Sequence, residues 1–293
     1  MNNSIWFNIH IPKCAGSSFV SILKRNFRAG FADGRSFDPV NKYGEAETQQ
    51  ILKIFSRIRC FSDHKFTYHL PYDRPEYHVR GIAFVREPTE RFISHYFYCR
   101  HNSQGDFDPL AKQLDITAYT RAVIQDQNRV GLVNGQTYHL MGDRSSQYFQ
   151  QNFELLKQRI EQQQLLLFPV SRFDEACMLL EHLFPEDFHD CAYIRQNISD
   201  KDQSVTDSVR EMIYSSMTLD YQLLELANIQ TNQLIASTFA SEVEKQTQNL
   251  KFEQRCQKLQ HQLNSPWRRI KQLGLRTTQR LLDDSPELKA FVQ

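Results

Sequence analysis

The sequence predicts an α/β protein: a P-loop-like, mainly parallel sheet covered by helices on both faces, with an α-helical C-terminal extension. Three observations carry this. An apolar strand, Ile5 to Ile11, runs through one lysine and one glycine straight into a helix. Two later segments read as buried strands, His78 to Arg86, with Ile82, Ala83, Phe84 and Val85 together, and Leu165 to Val170, since a continuous apolar run suits a sheet covered on both faces. Between the strands, apolar residues recur at helical spacing, the alternation that builds a parallel sheet.

Each element has a local reason. Ser17 to Phe27 carries apolar residues at 19, 20, 22, 23 and 27, a helical pattern. Ala29 to Gly44, rich in Gly and Asp, reads as a loop, Glu45 to Ile58 as an amphipathic helix, and Arg59 to His69 as a short strand leading into a polar stretch with His64. Pro88 suits the first position of a helix running to His101, where its missing N–H is not needed. Asn102 to Leu114 is loop-like, and helices are predicted over Ile116 to Asn128, Gln147 to Gln162 and Phe173 to Phe184, with an edge strand before Arg195.

Beyond Thr206 the pattern is helical almost to the end, and glutamine-rich between Gln222 and Gln262. Phe252, Cys256, Leu259 and Leu263 have coiled-coil spacing over too few heptads to define a coiled coil, so this helix is expected to pack on the body or on a partner. The main domain is assigned to residues 1–228 and the extension, glutamine-rich and then basic, to 229–293. Ser265 to Arg280 holds five Arg or Lys side chains, Trp267 and no acid, which fits a solvated basic face or a membrane-surface or protein contact.

Composition narrows the function. Thirty-five basic residues against thirty-four acidic ones leave a net charge of +1, so no nucleic-acid partner is expected and any anion site must be local. No apolar run reaches the roughly 18 residues of a membrane span, and a strand begins at residue 5 without a signal-peptide core, so a cytoplasmic protein without a transmembrane segment is expected. The six cysteines are scattered without a C-x-x-C pair and read as free thiols. His95, Cys99 and His101 lack a fourth ligand, and no metal is expected.

The chemistry concentrates in two segments. In Ile9-His10-Ile11-Pro12-Lys13-Cys14-Ala15-Gly16-Ser17-Ser18-Phe19, the loop N–H groups, the positive end of the helix dipole, two hydroxyls and an ammonium can converge on one anion. The lysine precedes the glycine, and no G-x-x-x-x-G-K-[ST] run is present, which argues against an ordinary ATP site. Arg86 lies at the carboxyl end of its strand, with Ser94 eight residues on in the following helix. If the two strands lie parallel, Lys13 and Arg86 fall on the same rim, and two anion grips there suit a ligand with two phosphate-like ends.

These segments resemble the sulfotransferases that use 3′-phosphoadenosine 5′-phosphosulfate (PAPS), in particular the branch related to heparan sulfate 2-O-sulfotransferase. His10 to Phe19 is similar to that family's 5′-phosphosulfate loop, and Phe84-Val85-Arg86-Glu87-Pro88-Thr89-Glu90-Arg91-Phe92-Ile93-Ser94 to its 3′-phosphate segment. The resemblance covers roughly residues 5 to 228, including Leu166 to Leu180, with Cys14 and Ser17 standing where threonine is usual. It implies transfer of a sulfuryl group from PAPS, without a metal, to an acceptor hydroxyl, most plausibly of a carbohydrate.

It also implies roles. Lys13 would stabilise the departing 5′-phosphate, Ala15, Gly16, Ser17 and Ser18 would hold the 5′-phosphosulfate, and Arg86 and Ser94 the 3′-phosphate. His64, 22 residues before Arg86, matches the family's catalytic base, and Arg195 its late loop over the nucleotide. Plainer readings stand beside these: a helix N-cap for Ser17 or Ser18, an Arg86–Glu90 ion pair, a loop histidine at 64 and a surface arginine at 195. Asn134 to Gly142 resembles an acceptor-side stretch, and its polar residues equally suit a turn. Tyr72, Arg74, Arg100 and Arg129 are candidates to grip an acidic sugar. The competing classes are a nucleotide or phosphate kinase of related fold and a noncatalytic nucleotide-binding module.

Overall fold

The computed structural model describes residues 4–34, 41–72, 76–101, 108–126, 132–142, 148–194 and 205–264. Within them, β1 (Ser4–Ile9), β2 (Phe31–Asp33), β3 (Cys60–Asp63), β4 (His78–Val85) and β5 (Leu165–Pro169) form one sheet in the order β2-β3-β1-β4-β5. All four pairings are parallel. β1 is central, and all six of its residues are buried. Its polar Asn8 is satisfied by donating to Ser62 Oγ of β3 at 2.8 Å. Phe7 stacks on Phe61 across the same pair, with 5.2 Å between ring centres.

The strand order positions the site. From β1 the chain moves to one side for β2 and β3, and then to the other for β4. A topological switch point therefore lies at the carboxyl end of β1, where open α/β sheets hold their ligands. α1 (Gly16–Phe27) starts there and buries Phe19, Ile22 and Leu23. Phe19 meets Phe84 of β4 edge-on at 4.8 Å, and Phe84 packs on Phe173 of α8 (Phe173–Leu183) at 4.8 Å, which locks helix start to sheet.

On the other side of the sheet order, β5 is an edge strand, and α10 (Thr218–Thr238) covers it. Gln230 accepts from Leu167 N at 2.7 Å and donates to Leu165 O at 3.0 Å, so a side-chain amide satisfies backbone groups that a missing neighbour strand would otherwise take. A second core lies under α3 (Pro88–His101), α4 (Pro109–Gln113), α5 (Ile116–Gln125) and α9 (Asp207–Ser216), built on Phe92, Tyr96, Tyr119, Val209 and Ile213. α2 (Glu45–Ile54), α6 (Gly135–Met141), α7 (Phe149–Glu161) and α11 (Glu242–Asn264) complete the α-helices of the described residues.

Several elements differ from expectation. β2 lies inside the segment read as a loop, and α4 inside Asn102 to Leu114, where Asp108 caps it by accepting from Leu110 N. α6 lies within Asn134 to Gly142, read as turn or acceptor stretch. β3 is shorter than Arg59 to His69, and α2 stops at Ile54. The edge strand expected before Arg195 is irregular backbone, where Tyr193 packs edge-on against Phe173 at 4.6 Å. α11 packs on the body: Phe252 is fully buried, and Cys256 Sγ accepts from Tyr193 N at 3.4 Å. Residues 228 and 229 both lie within α10. The basic stretch Ser265 to Arg280 lies outside the described residues.

Candidate active site

Between β1 and α1 the backbone is bent into an unusual shape. Lys13 (φ 67°) and Ala15 (φ 58°) are both left-handed, each at a cost of about 1 kcal/mol or more for a residue with a Cβ. Left-handed residues before a helix start make the concave row of N–H groups that binds anions. The Ala15 carbonyl accepts from Ser18 N at 3.1 Å and Phe19 N at 3.2 Å, and no side chain caps α1. The positive end of the helix dipole thus has no side-chain cap, and such an end attracts negative charge. Ser17 is exposed beside it and Ser18 is buried.

Gly16 is required by close approach. A Cβ there would stand 1.7 Å from His10 Nε2. The His10 ring in turn stacks on His64, with 4.0 Å between centres and 26° between planes. His64 Nδ1 lies 2.6 Å from the His10 carbonyl oxygen. A carbonyl only accepts, so Nδ1 carries the hydrogen in this contact and Nε2 carries the lone pair. Lys42 braces the arrangement: its Nζ donates to His64 O at 2.5 Å and lies 3.2 Å from His139 Nδ1.

Burial keeps these rings neutral. It lowers His64 below the ordinary histidine value, with Lys42 adding to the effect and the His10 carbonyl and Asp63 opposing it. Burial, then His64, takes His10 down to about 3. His139 is pushed well down by burial and by Lys42. On the other side of Lys13, burial and then Arg91 take His95 to about 4. Such groups bind protons more readily in the unfolded chain, so the stability they contribute is complete above the usual value of about 6.5 and is lost as pH falls toward 4 and 3. Calorimetry should accordingly show Tm falling by about 5 °C or more between pH 7.5 and pH 5. An unchanged Tm would contradict the buried neutral rings.

Lys13 and Arg86 share the rim, as expected. The Lys13 ammonium lies 4.2 Å from the centre of the Tyr98 ring. Burial, and then repulsion by the Arg86 guanidinium, hold it below the ordinary lysine value. Arg86 follows β4 directly and pairs with Glu90 at 3.7 Å, while Glu90 is also held by Arg210 at 2.9 Å. Glu90, Ser94 and Tyr98 are spaced by four on α3 and share one face. Ser94 therefore stands between the partner of Arg86 and the partner of Lys13.

Arg195, Arg74 and Arg129 lie outside the described residues. Tyr72 is buried beneath Arg159, whose guanidinium is 4.9 Å from its ring centre, and Arg100 donates to Leu114 O at 2.8 Å. These contacts tie both side chains into the fold. Among the described residues no three His, Cys, Asp or Glu side chains are grouped as metal ligands, and no helix is long and apolar enough to cross a membrane. All six cysteines are free thiols. The sequence gives no role to Lys42, Tyr98 or Asp220. Only His139 and Gln136 had a signal, lying in the stretch Asn134 to Gly142 that resembles an acceptor side.

Fold and rim together define a P-loop-like α/β protein with two cations gathered at its switch point. The model of the sulfotransferase family matches residues 3–227, and this chain belongs to that family. It is a transferase whose chemistry is sulfuryl transfer. Among solved structures the chain is similar to a sulfotransferase from Alicyclobacillus acidocaldarius, at 10% identity and a TM-score of 0.40, covering 78% of this chain and 97% of that chain. No curated protein matches it.

Proposed function

We propose that the protein moves a sulfuryl group from PAPS to an acceptor hydroxyl of a carbohydrate, by in-line displacement with His64 as base. The observation that carries this reading is the pair of cations on one rim, Lys13 and Arg86, close enough for one to depress the other. Such a pair suits a ligand with a negative group at each end, and an arriving anion relieves their mutual repulsion.

The donor supplies the activated sulfuryl group. The N–H groups of Ala15, Gly16 and Ser17, with the hydroxyls of Ser17 and Ser18, hold the 5′-phosphosulfate, and Lys13 neutralises the charge that grows on the leaving oxygen. Arg86 and Ser94 take the 3′-phosphate. When they do, Arg210 keeps Glu90, which in the described structure lies between the two arginines. His64 Nε2 takes the acceptor proton as the hydroxyl oxygen attacks sulfur. Among the residues of the rim no further covalent step is needed, since group transfer of this kind rests on positioning and charge.

Thermal shift tests the donor. Adenosine 3′,5′-bisphosphate at about a hundred times its Kd should raise Tm by about 5 °C or more, and ATP should not. Stabilisation by ATP alone would favour a kinase and sink the reading. Incubation with labelled PAPS and a panel of glycans and phenols tests the rest: label is expected on glycan hydroxyls. Label on phenols alone would overturn the carbohydrate acceptor, and bisphosphate binding with no transfer to any acceptor would point to a noncatalytic module.

A further inference from the structure

Two anion grips on different strands act together only if their separation is fixed, and one buried side chain touches both supports. Gln136 is fully buried at the start of α6. Its Oε1 accepts from Arg86 N at 2.8 Å and from the Cys14 thiol at 3.2 Å. Its Nε2 donates to Arg86 O at 2.9 Å and to Asp220 Oδ2 at 3.4 Å. Both acceptor sites and both donor hydrogens of the amide are thus engaged. The amide continues the pairing of β4 one residue past its end, and the same oxygen holds the loop that carries Lys13.

The amide is itself anchored from behind. Asp220, buried at the start of α10, accepts from Gln136 N at 3.2 Å and from Thr137 N and Thr137 Oγ1 at 2.8 Å each. Asn134 reciprocates, its Oδ1 accepting from Leu219 N at 3.0 Å and Asp220 N at 3.2 Å. The helix starts of α6 and α10 therefore cap each other, and Gln136 projects from a rigid corner toward the rim. Cys14, standing where threonine is usual, still presents a donor to this oxygen.

We infer that Gln136 is a positioning residue that fixes the spacing of the Lys13 loop and Arg86, and so sets the preference for ligands carrying both a 5′- and a 3′-phosphate. The inference rests on the donor reading proposed above. A spacing held in advance lets both ends of the ligand bind without reorganisation, whereas a loosened one keeps each grip but misplaces one against the other.

Calorimetric titration of the full chain with adenosine 3′,5′-bisphosphate and with adenosine 5′-monophosphate separates these cases. In Gln136→Leu the bisphosphate should bind about 10- to 100-fold more weakly, the size of effect expected when one charge-assisted grip is lost. The monophosphate should change by less than about threefold, since it needs one grip only. Gln136→Asn keeps an amide but is one methylene too short to reach Arg86 and Cys14 together, and should show the same loss of preference if the leucine variant does not fold. A general structural role would weaken both ligands alike and leave their ratio unchanged, which would overturn the inference. If the unaltered protein shows no preference for the bisphosphate, the donor reading itself fails, a result distinct from a preference that survives both substitutions.

Discussion

Lys13→Ala should lower sulfuryl transfer by about 10²- to 10³-fold, the usual consequence of deleting one group that stabilises charge developing in a transition state. The fold should survive, because the Lys13 side chain lies on the rim and its one described ring contact is with the exposed Tyr98. Burial and the nearby Arg86 both disfavour the free ammonium, so the site carries unrelieved positive charge until an anion arrives. That charge has most to gain when the leaving oxygen is most negative, in the transition state. Single-turnover transfer from labelled PAPS measures the effect apart from product release. Turnover within about tenfold of the unaltered protein would show that the loop N–H groups suffice and that the ammonium has another task.

His64→Ala should lose transfer by about 10²- to 10⁴-fold while binding adenosine 3′,5′-bisphosphate as before. The ring touches the His10 carbonyl and stacks on His10, and neither contact lies on the Arg86 side of the rim. The pH profile of kcat/KM adds an independent reading. The neutral ring is the active form, and burial holds His64 below the ordinary histidine value. Activity should therefore persist as pH drops through about 6.5 and be lost only below it, as the ring gains a proton. In His64→Asn this acid limb should vanish. Normal turnover of either variant would remove His64 as the base.

The parts of the fold legible in the sequence are those whose signal is local. β1, the loop at Lys13 and α1 form one uninterrupted pattern, and the apolar runs of β4 and β5 mark strands covered on both faces. Pro88 announced the helix after Arg86 for a reason contained in a single residue. β2 and α6 left no such trace, being three and seven residues long, and α4, five residues long, carries only the Asp108 cap and Pro109 at its start. Helices this short have little stability of their own and form where distant groups satisfy their ends. α6 does so through Asp220, 84 residues from Gln136 in sequence.

The candidate site divides along the same line. Lys13, Arg86 and His64 each sit in a motif, and their strands bring them to one rim. Lys42 belongs to no motif, and nothing in the stretch Asn134 to Gly142 marks out Gln136, because what gives each its place is a contact across the chain: 122 residues separate Cys14 from Gln136, and 97 separate Lys42 from His139. The coiled-coil spacing in α11 shows the converse limit. Phe252 and Cys256 are spaced for a seam, but they face the body of the protein, since periodicity tells which face is apolar and not what covers it.

The amide of Gln230 has a further consequence for how this chain can be subdivided. It closes the outer edge of β5, and it stands beyond residue 228, inside the single helix α10 that also carries Asp220. A fragment that stops short of Gln230 would expose the backbone of Leu165 and Leu167 as a template for strand addition by another molecule. A fragment that keeps this edge covered is thus expected to extend past the end of the 3–227 family match.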